Sequence, residues 1–474
     1  MKDLREWISA CEKEVELKRI KAQVDWNLEL SHIAKLNEER KGPALLFENV
    51  KDYTIPVLTS ALISEKRLAI TLGLEPGISM CEMARWWMKV ITEKGLIKPK
   101  EVPSGPVTEQ VVEEDAIDLL RDFPVPYIYL KDGGRYIGTA VFLITKDLET
   151  GWVNLGTYRM MVHDRNHTGV QIIKGKHADM HLKQYEKAGK LMPAAAVIGC
   201  DPILFLCSST LVPAQVSEYD VAGVLRGEPI EVFEGELTGL PLPAHAEIIL
   251  EGFIDPKDLR EEGPFGEYTG YYSGKRGEEW PKQVLHVKRI YMRKDPIFWV
   301  TTVGKPVTDT HMIPVPEPDR HPLDTELETM RVPGIRSVFI PPQTTGRLWA
   351  IISLKTMYPG HSIRAAMAAH ATTTGHYGMK GVIVVDEDIK ADDLDRVWWA
   401  LSVRYDPYRS TEIIKRVRST PLDPALPIDA RDISSKIIMD VTIPYEWKRK
   451  PEEIFLDEEM AKRVRERWGE LGLD

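Results

Sequence analysis

The feature that most constrains this chain is a rhythm. Across residues 115–302 short, β-branched apolar runs follow one another with turn residues between them, and only residues 178–188 read as a helix. The runs RYIGTAVFLITKDL, WVNLGTYRMMVH, HTGVQIIKG, AAAVIG, ILFLCSS, AEIILEGFI, QVLHVKRIYMR and PIFWVTTV all read as strands. This favours a barrel-like or mixed sheet over regular βαβ alternation, which would set a helix after every strand. Residues 304–329 are rich in Pro, Asp and His, and the rhythm changes beyond them. RLWAIISLK, a helix at SIRAAMAAHATTT, the strand KGVIVVDED and a helix at ADDLDRVWWALSVR predict an α/β domain. Two amphipathic helices are expected within residues 1–41, and SMCEMARWWMKVITEKG reads as a strong amphipathic helix whose tryptophans face the core. The expected division is a catalytic domain over residues 1–310 with an N-terminal helical segment, an α/β domain over 320–421, and an extended tail with a terminal helix over 422–474.

Charge and composition narrow the function classes. A net charge of −10 and the absence of a basic block argue against nucleic-acid binding. The N-terminus is charged and lacks an apolar signal core. The most apolar run, AAAVIGCDPILFLCSST, is broken by Asp201-Pro202 and is too short to span a bilayer. Cys11, Cys81, Cys200 and Cys207 show neither zinc-ligand spacing nor a disulfide framework, so they read as buried thiols of a cytoplasmic protein.

Chemistry concentrates in residues 152–177, where amides, arginines and three histidines sit between apolar runs, a costly arrangement beside a core unless they bind something. Asn154, His177 and Glu218 offer two oxygens and a nitrogen to a Mg- or Mn-type cation. Arg159, Glu262 and Glu267 form a candidate acid–base set, the two glutamates flanking a loop bent by glycine and proline. Each has an ordinary structural reading too. Glu262 and Glu267 could be solvated loop carboxylates, Arg159 a strand-edge ion pair, and Asn154 a turn residue before Gly156. His177 and His181, four apart on a helix, could face solvent, and His163 and His167 read as structural residues of the DRNHTG turn.

The order of the motifs adds to this. Asn154-Leu-Gly-Thr-Tyr-Arg159, Gly175-Lys-His177, Ser217-Glu218-Tyr219, Glu262-Gly-Pro-Phe-Gly-Glu267-Tyr-Thr-Gly-Tyr-Tyr272 and Lys380-Gly-Val-Ile-Val-Val-Asp386 together resemble the UbiD family of prenylated-flavin-dependent decarboxylases. The likeness runs over nearly the whole chain. It implies an α+β protein, with a split-β-barrel-like flavin-binding domain followed by an α/β oligomerisation domain and a C-terminal tail helix. It implies prenylated FMN with Mn²⁺ and a possible K⁺, the manganese on Asn154, His177 and Glu218. Thr157, Tyr158, Arg159 and Lys176 would cradle the flavin, with Lys380 near its phosphate. The reaction implied is reversible, non-oxidative loss of CO₂ from an aromatic or heteroaromatic acid through a covalent flavin adduct, and the cofactor carries the electron sink. Glu267 would deliver the proton, its pKa raised by burial and a neighbouring carboxylate, while Glu262 stays ionised against Arg159. A flavin prenyltransferase would supply the cofactor, and a homodimer or higher assembly, up to a hexamer, is expected. No membrane or nucleic-acid partner is expected.

Alternatives remain open at this point: an acrylic-acid decarboxylase of the same family, a zinc hydrolase using His163, His167, His177 or His181, and a non-catalytic subunit of a larger carboxylase. The run Val403-Arg-Tyr-Asp-Pro-Tyr-Arg409-Ser410 departs from the family pattern, which ends in Asp, so that acid's role is in doubt. No HExxH or Gly-x-Ser-x-Gly pattern supports a hydrolase.

Overall fold

The computed structural model describes the chain apart from residues 211, 274–280, 315–326, 328, 329, 377, 421, 428, 429, 432, 453, 455, 473 and 474. The expected boundary at 304–329 therefore lies partly outside the described residues.

The strand-rich middle of the chain builds one large antiparallel sheet. Its order is His167–Val170, Lys282–Met292, Ile248–Arg260, Met192–Ile198, Val141–Lys146 and Val153–Gly156, with Gln110–Glu113 also pairing onto Lys282–Met292. Val141–Lys146 and Met192–Ile198 are apolar on both faces because helices and loops cover both sides of the sheet. Two core clusters meet there, one reaching back to Trp7 and Trp87 of the N-terminal helices and the other including Phe123 and Phe298.

The N-terminal part is mixed, not purely helical. Helices Leu4–Lys13 and Glu29–Glu39 flank strand Leu17–Ile20, which pairs with Ala44–Phe47 and, beyond it, Val57–Thr59. Phe298–Trp299, from the end of the strand-rich middle, closes this small sheet, so the N-terminal segment is stitched to that middle by backbone pairing. Helix Met80–Lys94 forms as expected: Ser79 and Glu82 close a capping box, and Trp87 is fully buried.

Three expectations change, the first being that residues 178–188 hold the one helix of the strand-rich middle, since Glu218–Arg226 is helical too. ILFLCSS is helical, not a strand, over Pro202–Ser209. Asp201 caps it through the Ile203 N–H, and Pro202 takes the first turn, where its missing donor costs nothing. A helix buried all round shows no period, which is why the run reads as a strand. The chain from residue 422 onward, expected as tail, is part tail and part sheet. Ile433–Asp440 lies between Gly381–Asp386 and Thr411–Arg418 in the five-stranded C-terminal sheet, whose other strands are Trp349–Leu354 and Ile335–Phe339. The tail proper begins after it, ending in helix Glu458–Glu466, which buries none of its residues.

Candidate active site

Arg159 follows the edge strand Val153–Gly156, and its guanidinium is buried. Its Nε donates to Glu262 Oε1 at 2.6 Å, and its Nη1 donates to Glu267 Oε1 and, at 3.3 Å, to Ser273 Oγ. The ring of Phe265 lies 4.7 Å beneath the cation. Burial disfavours the charge of Arg159, but Glu262 and Glu267 outweigh it and hold its pKa above the ordinary value. Both carboxylates thus share one guanidinium.

The loop between the glutamates is held from one side. Asp132, buried, accepts from Gly266 N at 3.0 Å and from Tyr129 N at 2.9 Å, and Gly133 N donates to Pro264 O at 2.7 Å. Burial pushes the Asp132 carboxyl up to about 6 against those two N–H donors and Arg159. Gly133 and Gly263 touch so closely that a side chain on Gly133 would lie 1.8 Å from Gly263 O. His311 reaches the same loop: its Nε2 lies 2.7 Å from Tyr268 O, while its Nδ1 accepts from Thr308 N, which makes Nε2 the donor. Asp132 and His311 escape sequence reading. Asp132 stands in a Lys-Asp-Gly-Gly run that reads as an ordinary turn, and the only signal was its two glycines.

Asn154, His177 and Glu218 also converge. Asn154 Oδ1 lies 3.1 Å from His177 Nδ1, and Asn154 Nδ2, though buried, has no hydrogen-bond partner among the described residues. His177 opens helix His177–Ala188, its ring edge-on to Trp152 at 4.7 Å. Burial, then Lys176, lower the pKa of His177, which keeps its ring neutral and able to ligate. Glu218 opens helix Glu218–Arg226 behind the Ser217 cap and accepts the outward N–H of Leu155 at 2.7 Å. Burial pushes the Glu218 carboxyl up to about 8. The amide oxygen, the imidazole and a carboxylate starved of positive charge fit a hard divalent cation. Among the described residues no three His, Cys, Asp or Glu side chains gather. The trio contains only two such side chains, because its third donor is an amide.

Other expected site residues are placed less uniformly. Lys176 caps the His177 helix. Thr157 donates its N–H to Ser208 O and is half-buried. Tyr158 turns its ring into the core across Gly156. Lys380 is held by Asp423 at 2.6 Å beside the C-terminal sheet, an ion pair that occupies the ammonium expected near the phosphate. Of the four histidines of the hydrolase reading, three meet separate partners: His167 bonds Asp164, His177 meets Asn154, and His181 bonds Thr145.

Comparison with known proteins gives the family. Residues 8–87 match the 3-octaprenyl-4-hydroxybenzoate carboxy-lyase N-terminal domain, residues 100–306 its Rift-related domain, and residues 321–441 its C-terminal domain. Vanillic acid decarboxylase of Sedimentibacter hydroxybenzoicus in open form is similar at 30% identity over 99% of each chain, with a TM-score of 0.88. The UbiD-class enzyme HmfF from Pelotomaculum thermopropionicum, solved in complex with FMN, is 28% identical over 97% of this chain and 98% of its own, with a TM-score of 0.86. An evolved dimeric form of HmfF in complex with prFMN is also 28% identical, over 96% of this chain and 99% of its own, with a TM-score of 0.80. With all three family domains matched in order along residues 8–441, the chain belongs to the UbiD family of carboxy-lyases.

Proposed function

We propose that this protein decarboxylates, reversibly and without net oxidation, an aromatic or heteroaromatic carboxylic acid, using prenylated FMN. The observation that carries the reading is the burial of Glu262 and Glu267 on one guanidinium, contributed by a segment about a hundred residues away in sequence. A solvated pair of loop carboxylates would need no such partner. The antiparallel sheet would be the split-barrel-like flavin-binding part, and the five-stranded sheet the oligomerisation part. Vanillic acid decarboxylase, similar over the full length, supports an aromatic acid over an acrylic one.

The bound flavin would supply the electron sink that no side chain offers. Asn154, His177 and Glu218 would hold Mn²⁺ through two oxygens and one nitrogen, the metal giving Glu218 the positive charge its burial lacks. Lys176, near His177 and Glu218, would add charge for the flavin phosphate, with K⁺ as a further counter-ion. Arg159 Nη2, buried and without a partner among the described residues, is the donor available to a substrate carboxylate. Glu267 would return a proton to the carbon that loses CO₂, and the Asp132 clamp keeps that carboxyl in place beside Arg159. The protein would act as a homodimer or larger homo-oligomer, in the cytoplasm. Co-expression with a flavin prenyltransferase, followed by a screen of aromatic acids for CO₂ release, tests the proposal. A preparation that takes up neither flavin nor manganese and releases no CO₂ overturns it.

A further inference from the structure

Glu267 opens a tight turn. Its carbonyl accepts from Gly270 N at 2.8 Å, and its own N–H donates to Tyr271 O at 3.0 Å, with Gly270 in the left-handed region at φ +83°. Tyr268, the second residue of that turn, is gripped from outside the loop. Its N–H turns back onto Glu267 Oε2 at 3.3 Å, and its carbonyl accepts from His311 Nε2 at 2.7 Å. Over its half-buried ring, 4.6 Å from the centroid, lies the guanidinium of Arg347. Asp132 and Gly133 hold the other end of the loop, at Gly266 and Pro264. Arg347 comes from a distant part of the chain. It stands two residues before strand Trp349–Leu354 of the five-stranded sheet, within the matched C-terminal domain.

The turn that delivers Arg347 has a fixed approach. Thr345 and Gly346 both take the left-handed region, at φ +66° and +64°, and Arg347 Nη1 donates to Thr345 O at 3.3 Å, which folds the side chain over its own turn. Gly346 lies against His311, where a methyl group would sit 2.7 Å from His311 O. The same turn therefore reaches Tyr268 twice, directly through Arg347 and indirectly through His311. A guanidinium is drawn to the negative face of an aromatic ring and fixes the ring's orientation. This matters because a proton donor must lie within hydrogen-bond reach of the carbon it serves, and a misplacement near 1 Å costs about 10²-fold in rate. We propose that Arg347 is a positioning residue: reaching in from the C-terminal domain, it locks Tyr268 and with it the Glu267 turn, so that the docking of that domain sets the proton donor in place. Its effect on rate rests on the proposed decarboxylase reading, whereas its hold on the loop does not.

Two independent measurements test this. Hydrogen exchange in the full chain, purified without flavin, reads the hold on the loop. Arg347→Ala should speed exchange over residues 266–271 by about 5-fold or more, while strand Trp349–Leu354 keeps its protection. Unchanged exchange in the loop, or an equal loosening of that strand, would overturn the proposal. In the flavin-loaded enzyme, Arg347→Ala should lower kcat by about 10-fold or more, with KM and flavin content unchanged. Arg347→Lys, which keeps a cation for the ring face, should retain more of the rate. Tyr268→Leu should match Arg347→Ala, and the double variant should be no slower than either single one, because both remove the same contact. Losses that multiply in the double variant, or a wild-type kcat in Arg347→Ala, would overturn the positioning role. If the wild-type enzyme released no CO₂ from any acid, the decarboxylase reading would fall, and the exchange measurement would still decide whether Arg347 holds the loop.

Discussion

Arg159 holds two buried carboxylates in a single planar fork. Nε takes Glu262, Nη1 takes Glu267 and Ser273, and Nη2 is left for an anion. A lysine could not span both carboxylates, since its ammonium is a point charge. Glu267→Gln should therefore leave fold and metal content intact, because the amide oxygen still accepts from Arg159. It cannot deliver a proton, so turnover should fall by about 10²–10⁴-fold, and deuterium incorporation from D₂O into the product should fall with it. Steady-state kinetics and mass spectrometry of the product check this, and wild-type rates would move the acid elsewhere. Gly133 matters for a different reason. Gly133→Ala would drive a methyl group into the backbone of Gly263, with no flexible side chain to yield. The expected cost is about 1–3 kcal/mol of stability and a loss of activity out of proportion to it, because the displaced loop carries Glu262 and Glu267. Thermal melts beside kinetics at a permissive temperature separate the two effects.

At the scale of elements, buried titratable groups at the joints tie stability to pH. Glu38 closes helix Glu29–Glu39 and accepts from Thr302 Oγ1 at 2.6 Å and Ser60 Oγ at 3.1 Å, which joins the N-terminal segment to the end of the catalytic part. Burial, with Asp309 nearby, pushes its carboxyl up to about 7. The folded state thus holds a proton that the unfolded chain releases at lower pH. The contribution is full below the unfolded pKa of about 4.5 and is lost as pH rises through about 7. Glu38→Gln keeps the acceptor and removes the titration. Its stability relative to wild type should therefore rise between pH 5 and pH 8, as chemical denaturation at both values would show. A constant difference would mean that Glu38 is not protonated in the fold.

For the whole molecule, the C-terminal end is where the protein looks unfinished. Helix Glu458–Glu466 and the turn after it expose Met460, Val464, Trp468 and Leu471, spaced along one face, while the described residues offer that face no cover. Deleting residues 451–474 should leave a folded chain with weakened self-association, read by light scattering at micromolar concentration. Cutting after Pro424 is a different experiment, since it removes Ile433–Asp440 from the interior of a sheet and should unfold the C-terminal domain. A monomer both before and after the 451–474 deletion would contradict self-association.

Much of this was legible in the residues themselves because it is local. The capping box at Ser79 and Glu82, the turn-punctuated strands and the Gly-Pro loop all act within a few positions, where chemistry and spacing are visible together. Apolar alternation tells which face of a strand is buried but not which strand lies beside it. Only the tertiary structure decided that Ile433–Asp440 enters the sheet, that Pro202–Ser209 is a helix buried all round, and that Lys380 is claimed by Asp423. The same holds for both glutamates meeting on Arg159 and for Asp132 reaching Gly266. Each is a contact between segments far apart in the chain, set by strand register and by how closely two backbones approach where glycine leaves room.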